Sequence, residues 1–190
     1  MKKLSRRARI ATGGAVIAAV AAGTFGTVSA NASSATSATS AYSAGAAPVA
    51  NVKSGDTVTS SRLSVDAAAE AAQAALDAAE KENQKVTVAV VDRDGNTVVT
   101  LRGDGAGPQS YESAQRKAYT AVSWNAPTSE LAKRLAQAPN LKDIPGTLFL
   151  AGGTPVAVKG APVAGIGVAG APSGDLDEKF AAAGVAALGQ

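Results

Sequence analysis

Apolar residues recur at helical spacing from Val65 to Ala79, along a stretch that is rich in alanine. Ser64, directly before them, is a residue type that caps helix N-termini well. The pattern therefore predicts a helix from Ser64 to about Asn83.

Two short runs of mainly β-branched residues follow, at 86–91 and 97–101. The residues between them, Asp92–Asn96, contain an Asp-Gly pair, which supplies the positive φ that a tight hairpin turn needs. This pattern predicts a β-hairpin. Alternating Asp92, Asp94 and Asn96 also allow a calcium-loop interpretation, although the spacing and terminal Glu of a helix-loop-helix calcium site are missing.

The rest of the chain predicts two helices, three strands and a last helix. Consecutive hairpins imply an antiparallel sheet, and the order helix, two strands, two helices, three strands, helix indicates an α+β fold with helices covering that sheet. The predicted segments are helices at 110–123 and 128–137, strands at 147–150, 155–159 and 163–169, and a helix to 188 capped by Ser173 or Asp175.

Gly165 and Gly167 alternate with apolar residues in the last predicted strand. One face of that strand therefore carries almost no side chains, which allows another backbone, a helix or a flat ligand to approach closely. A second Gly-rich segment, Gly103–Gly107, precedes a helix. It lacks the Lys-Ser/Thr ending of a phosphate loop, so a permissive connection is the simpler interpretation.

The pattern of residues 1–30 predicts a secretory signal peptide, because five cations precede an uncharged stretch that ends in the small-residue cleavage site Val28-Ser29-Ala30. Arg6 and Arg7 resemble a twin-arginine signal, with the general secretory route as the alternative. A retained membrane anchor is a weaker interpretation, since the stretch is interrupted by glycines. Residues 31–61 are rich in Ala, Ser and Thr and predict a flexible segment, followed by a domain over 62–190.

Removal of this signal changes the charge of the protein. The 18 basic and 15 acidic residues of the whole chain become 13 and 15, a net charge of −2. Net charge therefore gives no argument for nucleic-acid binding. The chain also has no His and no Cys, which excludes imidazole or thiolate zinc sites, disulfides and Ser-His-Asp or Cys-His catalysis.

The helix at 110–123 offers candidate ligand-binding residues. Lys117, Thr120 and Trp124 recur at helical spacing and Arg116 adds a second cation, a set that could meet a planar anionic ligand. The alternative is an ordinary amphipathic helix with Arg116 and Lys117 in water. Carboxylate catalysis by Asp92 or Glu112 is also open in principle, although nothing in the spacing of these residues indicates it.

Asp77 and Glu80 lie three residues apart on the first predicted helix. Carboxylate oxygens suit hard ions such as ferric iron, calcium or magnesium. A solvated helix face is the alternative interpretation of the same pair.

Four segments together resemble the GlcG/HbpS family, and among its members the secreted haem-binding proteins of actinobacteria most closely. The resemblance implies a profilin-like α+β domain, haem binding, and haem or redox sensing beside a membrane sensor histidine kinase. It also implies octamers and a location outside the cell at the cell wall, and it implies no catalytic reaction. The segments are Val86–Gly95, Tyr111–Trp124, Ile144–Gly153 and Pro162–Asp177.

The resemblance also suggests site residues. It points to a threonine near the haem iron, for which Thr120 is the nearest candidate, although Thr128 and Thr147 lie in matching segments. Arg116 and Lys117 would pair with the haem propionates.

Tyr111 and Tyr119 are alternative iron ligands, since no His or Cys can serve. Asp77 and Glu80 resemble an acidic surface pair that binds free iron. Because a neutral threonine hydroxyl is a weak iron ligand, we expect an exposed or interfacial haem that is held loosely.

Two other functions remain open at this stage. GlcG-like relatives in catabolic settings suggest a small-metabolite binder without haem, with a pocket between the Gly103–Gly107 loop and the strand of Gly165 and Gly167. A purely structural assembly module is the third interpretation, in which the Ala- and Gly-rich faces pack subunits together.

Overall fold

A computed structural model describes residues 49–189. The predicted signal peptide, residues 1–30, and most of the segment 31–61 lie outside the described residues. The elements are α1 (Val65–Lys81), β1 (Thr87–Asp92), β2 (Thr97–Arg102), α2 (Pro108–Trp124), α3 (Thr128–Lys133), β3 (Gly153–Val158), β4 (Ala161–Ala169) and α4 (Gly174–Ala187), with 3-10 turns at Ser54–Asp56, Arg134–Ala136 and Pro139–Asp143.

The four strands form one antiparallel sheet in the order β2-β1-β4-β3. Helices α1 and α4 cover one face of the sheet, and α2 covers the other. The predicted α+β fold is therefore confirmed. Within the described residues no helix is both long and apolar enough to cross a membrane.

Side chains alternate between the two faces, as the period of a strand requires. Val88 and Val90 of β1, together with Ile166 and Val168 of β4, contribute to the main hydrophobic core under α1 and α4. The fully buried Phe180 of α4 belongs to the same core.

The predicted caps at Ser64 and Ser173 and the hairpin are confirmed, whereas the prediction that Thr128 caps the next helix is wrong, because Thr128 is the first residue of α3 and that helix has no side-chain cap. Ser64 accepts a hydrogen bond from the Ala67 amide at 3.2 Å, and Ser173, rather than Asp175, caps α4. In the β1–β2 turn, Asp92 accepts hydrogen bonds from the amides of Asp94 and Asn96, so turn formation accounts for these residues.

The predicted strand at 147–150 is wrong. Its Leu148 amide donates to the Thr120 hydroxyl at 2.8 Å, and its Thr147 carbonyl accepts from Arg116, so these two backbone groups bond to α2 instead of to a strand. Phe149 packs edge-on against Trp124, with ring centroids 5.3 Å apart. The segment thus connects α2 to the sheet as an irregular loop.

Candidate functional site

Helix α2 lies directly on the backbone of the sheet. A Cβ atom at Gly165 would come within 2.2 Å of the Ala118 carbonyl, and one at Gly167 within 2.1 Å of the Ala114 carbonyl. The predicted close approach is therefore made by a helix. The predicted metabolite pocket against these glycines is wrong, because α2 fills that space.

The inner side of α2 carries a buried ion pair. The Lys117 ammonium lies 2.7 Å from Asp177 Oδ2 and donates to the Val168 carbonyl at 3.0 Å. Both side chains are close to 4% exposed. Burial raises the pKa of Asp177, against the opposing effects of Lys117 and of the backbone amides that donate to this carboxylate.

This pair borders an open cavity of about 420 Å³, whose other walls are formed by Leu150 and Ala151 and by residues before and at the start of α4. The neighbouring Glu178 accepts from the Ser129 amide at 2.9 Å and from the Gly152 amide at 3.2 Å. It thereby ties the first turn of α3 to the loop before β3. Sequence reasoning missed both carboxylates: Asp177 pairs with Lys117, 60 residues away, and Glu178 accepts from Gly152, 26 residues away.

The prediction that Lys117 and Thr120 lie on the outer surface of α2 is wrong. Thr120 is fully buried, and its hydroxyl donates to the Arg116 carbonyl at 2.7 Å while it accepts from Leu148. In this conformation neither residue offers a free polar atom on that surface. A part in haem binding for either one would require local rearrangement.

The two other threonines in matching segments are also engaged inside the protein. Thr128 accepts a hydrogen bond from the Gly153 amide at 2.8 Å, and Thr147 donates to the Ile144 carbonyl at 2.7 Å. Both side chains are buried. None of the three threonines is therefore placed as an open iron ligand.

The outer side of α2 presents Tyr111 and Arg116. Tyr111 is 48% exposed, and the Arg116 side chain is 40% exposed. Arg116 donates to the Thr147 carbonyl at 2.8 Å and lies 3.7 Å from Glu112. A guanidinium has five N–H donors, so most of them remain available to an anion.

Tyr119 stands beside Arg116 in an open cavity of about 280 Å³. Its ring lies between Gly95 and Gly146, where added Cβ atoms would come within 2.9 Å and 3.5 Å of it. Both glycines have positive φ, which only glycine adopts at low cost, so the slot that holds the ring requires them. The structure thus brings a phenol and a guanidinium together on one surface.

The predicted metal pair lies elsewhere. Asp77 and Glu80 are exposed on α1, and Asp77 accepts a hydrogen bond from Gln73 at 2.6 Å. Among the described residues no group of three or more acidic side chains is arranged to hold a metal ion. An ion bound here would therefore have water as most of its ligands.

Asp92, one of the two open catalytic candidates, is occupied in the hairpin turn. Burial raises its pKa, but hydrogen bonds from Asn96 and Asp94 and the charge of Arg62 more than offset this, so the pKa lies below 3.8. Such a carboxylate is a poor base at neutral pH. Glu112, the other candidate, is exposed and lies beside Arg116.

Comparison with known proteins identifies the family of this domain. Residues 63–186 match the family described as "Haem degrading protein HbpS-like". The chain belongs to the HbpS-like family. The description names haem degradation, so the expectation that the protein is not an enzyme stays a prediction. No curated protein sequence matches the chain.

Solved structures of HbpS-like proteins agree with this assignment. A double mutant of Streptomyces reticuli HbpS, in which two glutamates three positions apart are replaced by aspartates, is 74% identical, with a TM-score of 0.74. The match covers 99% of that chain and 76% of this one. It therefore includes more residues than lie between Leu63 and Gly189, and reaches into the segment before α1.

Two further crystal structures broaden the comparison. A crystal structure of HbpS is likewise 74% identical, with a TM-score of 0.73, and the match covers 74% of this chain and all of that one. A complex of PduOC with haem is 27% identical, with a TM-score of 0.61, and the match covers 67% of this chain and 95% of that one. This HbpS-like domain is therefore similar to proteins linked with haem.

Proposed function

We propose that the protein binds haem on the outer side of α2 and acts outside the cell in haem or redox sensing. The single observation that carries the site is the cavity in which the Arg116 guanidinium lies beside the Tyr119 ring. The HbpS-like family and the relative crystallised with haem support the ligand. The alternative is a small-metabolite binder without haem.

Arg116 supplies the charge that a haem propionate needs. Its backbone is fixed in the middle of α2, and its side chain is held toward the loop by the Thr147 carbonyl. The free N–H groups can form charge-assisted hydrogen bonds to a carboxylate, which are stronger than neutral ones. Lys117 cannot share this role in the same conformation, because Asp177 already neutralises its charge inside the protein.

The iron ligand must come from oxygen, since the chain has no His or Cys. Tyrosinate is an established haem ligand type, and tyrosines stand on either side of Arg116 along α2. Tyr111 is the more exposed of the two, whereas the Tyr119 ring is held in its slot between Gly95 and Gly146. The cavity is small for a haem, so much of the porphyrin would remain in water. The haem would therefore dissociate readily.

A haemin titration followed at the Soret band tests this site. Arg116→Gln should weaken haemin binding about 10-fold or more, since a hydrogen bond to a charged group contributes about 1.5–3 kcal/mol. Arg134→Gln removes an exposed arginine elsewhere and is the matched control. Equal binding by these two variants would exclude the α2 surface, and no spectral change with the parent protein would exclude haem binding altogether.

The two tyrosines serve as controls for one another. Tyr111→Phe and Tyr119→Phe each remove one hydroxyl and keep the ring. The variant that lacks the iron ligand should lose the charge-transfer absorption of a tyrosinate complex while the other keeps it. If both variants keep the parent spectrum, the iron ligand is neither Tyr111 nor Tyr119, and Thr120→Ala becomes the informative substitution.

Haem degradation is a second candidate function, favoured by the description of the family. Exposed haem on a protein that lacks His and Cys ligands is open to peroxide attack. The test incubates the haemin complex with a reductant and dioxygen, or with peroxide, and follows bilin absorption. Repeated turnover would make the protein an enzyme, whereas a single loss of the Soret band without product turnover agrees with a binding role.

The acidic pair on α1 is proposed as a site for ferric or ferrous iron. The spacing of the pair supports this proposal, because the two substitutions in the S. reticuli HbpS double mutant also lie at acidic residues three positions apart. Asp77→Asn/Glu80→Gln should reduce iron binding measured by equilibrium dialysis. Asp66→Asn/Glu70→Gln removes two exposed acids from the same helix and is the matched control. Equal iron binding by both variants would exclude the pair.

Export, assembly and partnership complete the proposal. The basic start and the uncharged stretch within residues 1–30 support a secreted protein with a cleaved signal. We expect a homo-octamer at the cell wall that interacts with the extracellular domain of a sensor histidine kinase. Mass spectrometry of the protein from culture medium tests cleavage near Ala30, and Arg6→Lys/Arg7→Lys separates the twin-arginine route from the general one.

A further inference from the structure

The open cavity beside the buried ion pair of Lys117 and Asp177 has no part in the proposed function. It measures about 420 Å³, and it shares no lining residue with the cavity proposed for haem. Leu150 in its wall is 57% exposed, and Pro172 lies in the same wall. The cavity therefore offers apolar surface next to charged groups.

The Lys117 ammonium has a donor to spare at this cavity. An ammonium carries three N–H groups, and two of those of Lys117 have acceptors, the Asp177 carboxylate at 2.7 Å and the Val168 carbonyl at 3.0 Å. The third has no acceptor within residues 49–189. A Cβ at Gly152 would lie 2.6 Å from the nitrogen, so the loop passes it as bare backbone. A charged side chain that is only 4% exposed thus keeps an unused donor beside an open cavity.

The first turn of α4 adds further unused donors to the same cavity. Gly174 and Asp175 are the first two residues of this 14-residue helix, so their amides have no acceptor inside it. They have none elsewhere in the described part of the chain either. The Ser173 hydroxyl accepts from the Leu176 amide at 3.2 Å, which leaves its own hydrogen free to donate. Donors at a helix N-terminus favour a carboxylate, and here a buried ammonium stands with them.

The charges around the cavity select against a simple anion. Lys117 and Asp177 neutralise one another, and the exposed Asp175 adds one negative charge to the lining. A ligand with a carboxylate alone would meet repulsion from Asp175. A ligand with a cation alone would leave the donors of Lys117 and of α4 without an acceptor. A zwitterion satisfies both the donors and the extra carboxylate.

We propose that this cavity binds a free α-amino acid with an apolar side chain. The carboxylate of the amino acid accepts hydrogen bonds from the Lys117 ammonium and the first amides of α4, and its ammonium pairs with Asp175. Its side chain lies against Leu150 and Pro172. The volume falls within the range of small-molecule sites, roughly 300–1,000 Å³. The inference goes beyond the proposed function, and it holds whether or not the protein also binds haem.

An NMR titration of isotope-labelled protein without haemin tests the ligand class. L-leucine is the main probe, with L-valine and L-phenylalanine as a shorter and a longer one, and the amide resonances of Gly174 and Asp175 should shift. Isocaproate lacks the ammonium of leucine and leucinamide lacks the carboxylate, so each should bind at least about 10-fold more weakly, since charge-assisted hydrogen bonds are the strong ones. The proposal is overturned if none of the three amino acids shifts these resonances at tens of millimolar, or if isocaproate binds as tightly as leucine.

Two matched pairs of variants leave the buried ion pair intact. Asp175→Asn should weaken L-leucine binding about 10-fold and should not weaken that of isocaproate. Asp66→Asn is its control, because Asp66 is the second residue of α1 after a serine cap, as Asp175 is in α4. Leu150→Ser should weaken L-leucine binding several-fold, whereas Ile144→Ser, at an exposed residue outside the cavity, should not. Thermal melting by circular dichroism shows that each variant is folded. Equal affinity of Asp175→Asn and Asp66→Asn for L-leucine contradicts the proposal.

Discussion

The buried ion pair between α2 and α4 makes the sharpest prediction about stability. Lys117→Met removes the ammonium but keeps most of the volume of the side chain. Asp177 would then be buried with no positive partner, with only backbone amides such as Ala171 to donate to it. Loss of one partner from a buried pair costs about 3–5 kcal/mol of unfolding free energy.

The double variant Lys117→Met/Asp177→Asn separates the charge from the packing. An asparagine can still accept from Ala171 and carries no charge, so we expect the double variant to recover more than half of the lost free energy. Both variants are compared with the parent by urea denaturation at pH 7, with the midpoint and the slope fitted together.

The dependence on pH gives a second readout. In Lys117→Met, burial without a partner raises the pKa of Asp177 further above its unfolded value of 3.8. A raised carboxyl pKa means that the native state binds the proton more tightly than the unfolded state does. The loss of unfolding free energy in this variant, relative to the parent, should therefore be greatest above the folded pKa and should shrink as the pH falls toward 3.8. A deficit below about 1 kcal/mol at pH 7, or one that does not change with pH, would refute this reasoning.

Two further predictions concern the hairpin turn and the sheet. Asp92→Asn should lower the free energy of unfolding by about 1–2 kcal/mol near neutral pH. Because the pKa of Asp92 is lowered in the folded state, its stabilising contribution is present above pH 3.8 and is lost as the pH falls through the folded pKa. The stabilities of parent and variant should therefore converge in acid. Gly167→Ala should lower the melting temperature strongly, because its Cβ would lie 2.1 Å from the Ala114 carbonyl, whereas Gly55→Ala in open space should have little effect.

Much of the fold could be predicted because local patterns and tertiary contacts agree. The helices begin at caps such as Ser64, and the strands follow the alternation of β-branched residues. The glycines of β4 predicted a close approach, and the structure shows that α2 makes it. In each case the determining residues lie near one another in the chain or on one face of one element.

The errors arose where a distant side chain decides the outcome. Residues 147–150 have a typical strand composition, but Thr120 bonds to the Leu148 amide that a strand ladder would use. The local pattern indicates that Lys117 is a surface cation. Its partner Asp177 lies 60 residues further along the chain, so the pattern around Lys117 does not show the ion pair. A single sequence contains no local signal for either contact. For Arg116, the amphipathic-helix alternative placed the side chain in water, and the structure leaves it 40% exposed although it bonds to the distant Thr147 carbonyl.

The contact of α2 with bare sheet backbone has a mechanical consequence. A helix this close to Gly165 and Gly167 cannot move further toward the sheet, and sliding along it would break the Lys117–Asp177 ion pair and the Thr120–Leu148 hydrogen bond. Changes would instead be transmitted at its ends. At the C-terminal end, Asn125 has positive φ and donates to the Gly160 carbonyl at 3.2 Å, in the β3–β4 turn that follows Val158. Helix α2 therefore joins the proposed haem surface to the β3–β4 turn at the edge of the sheet.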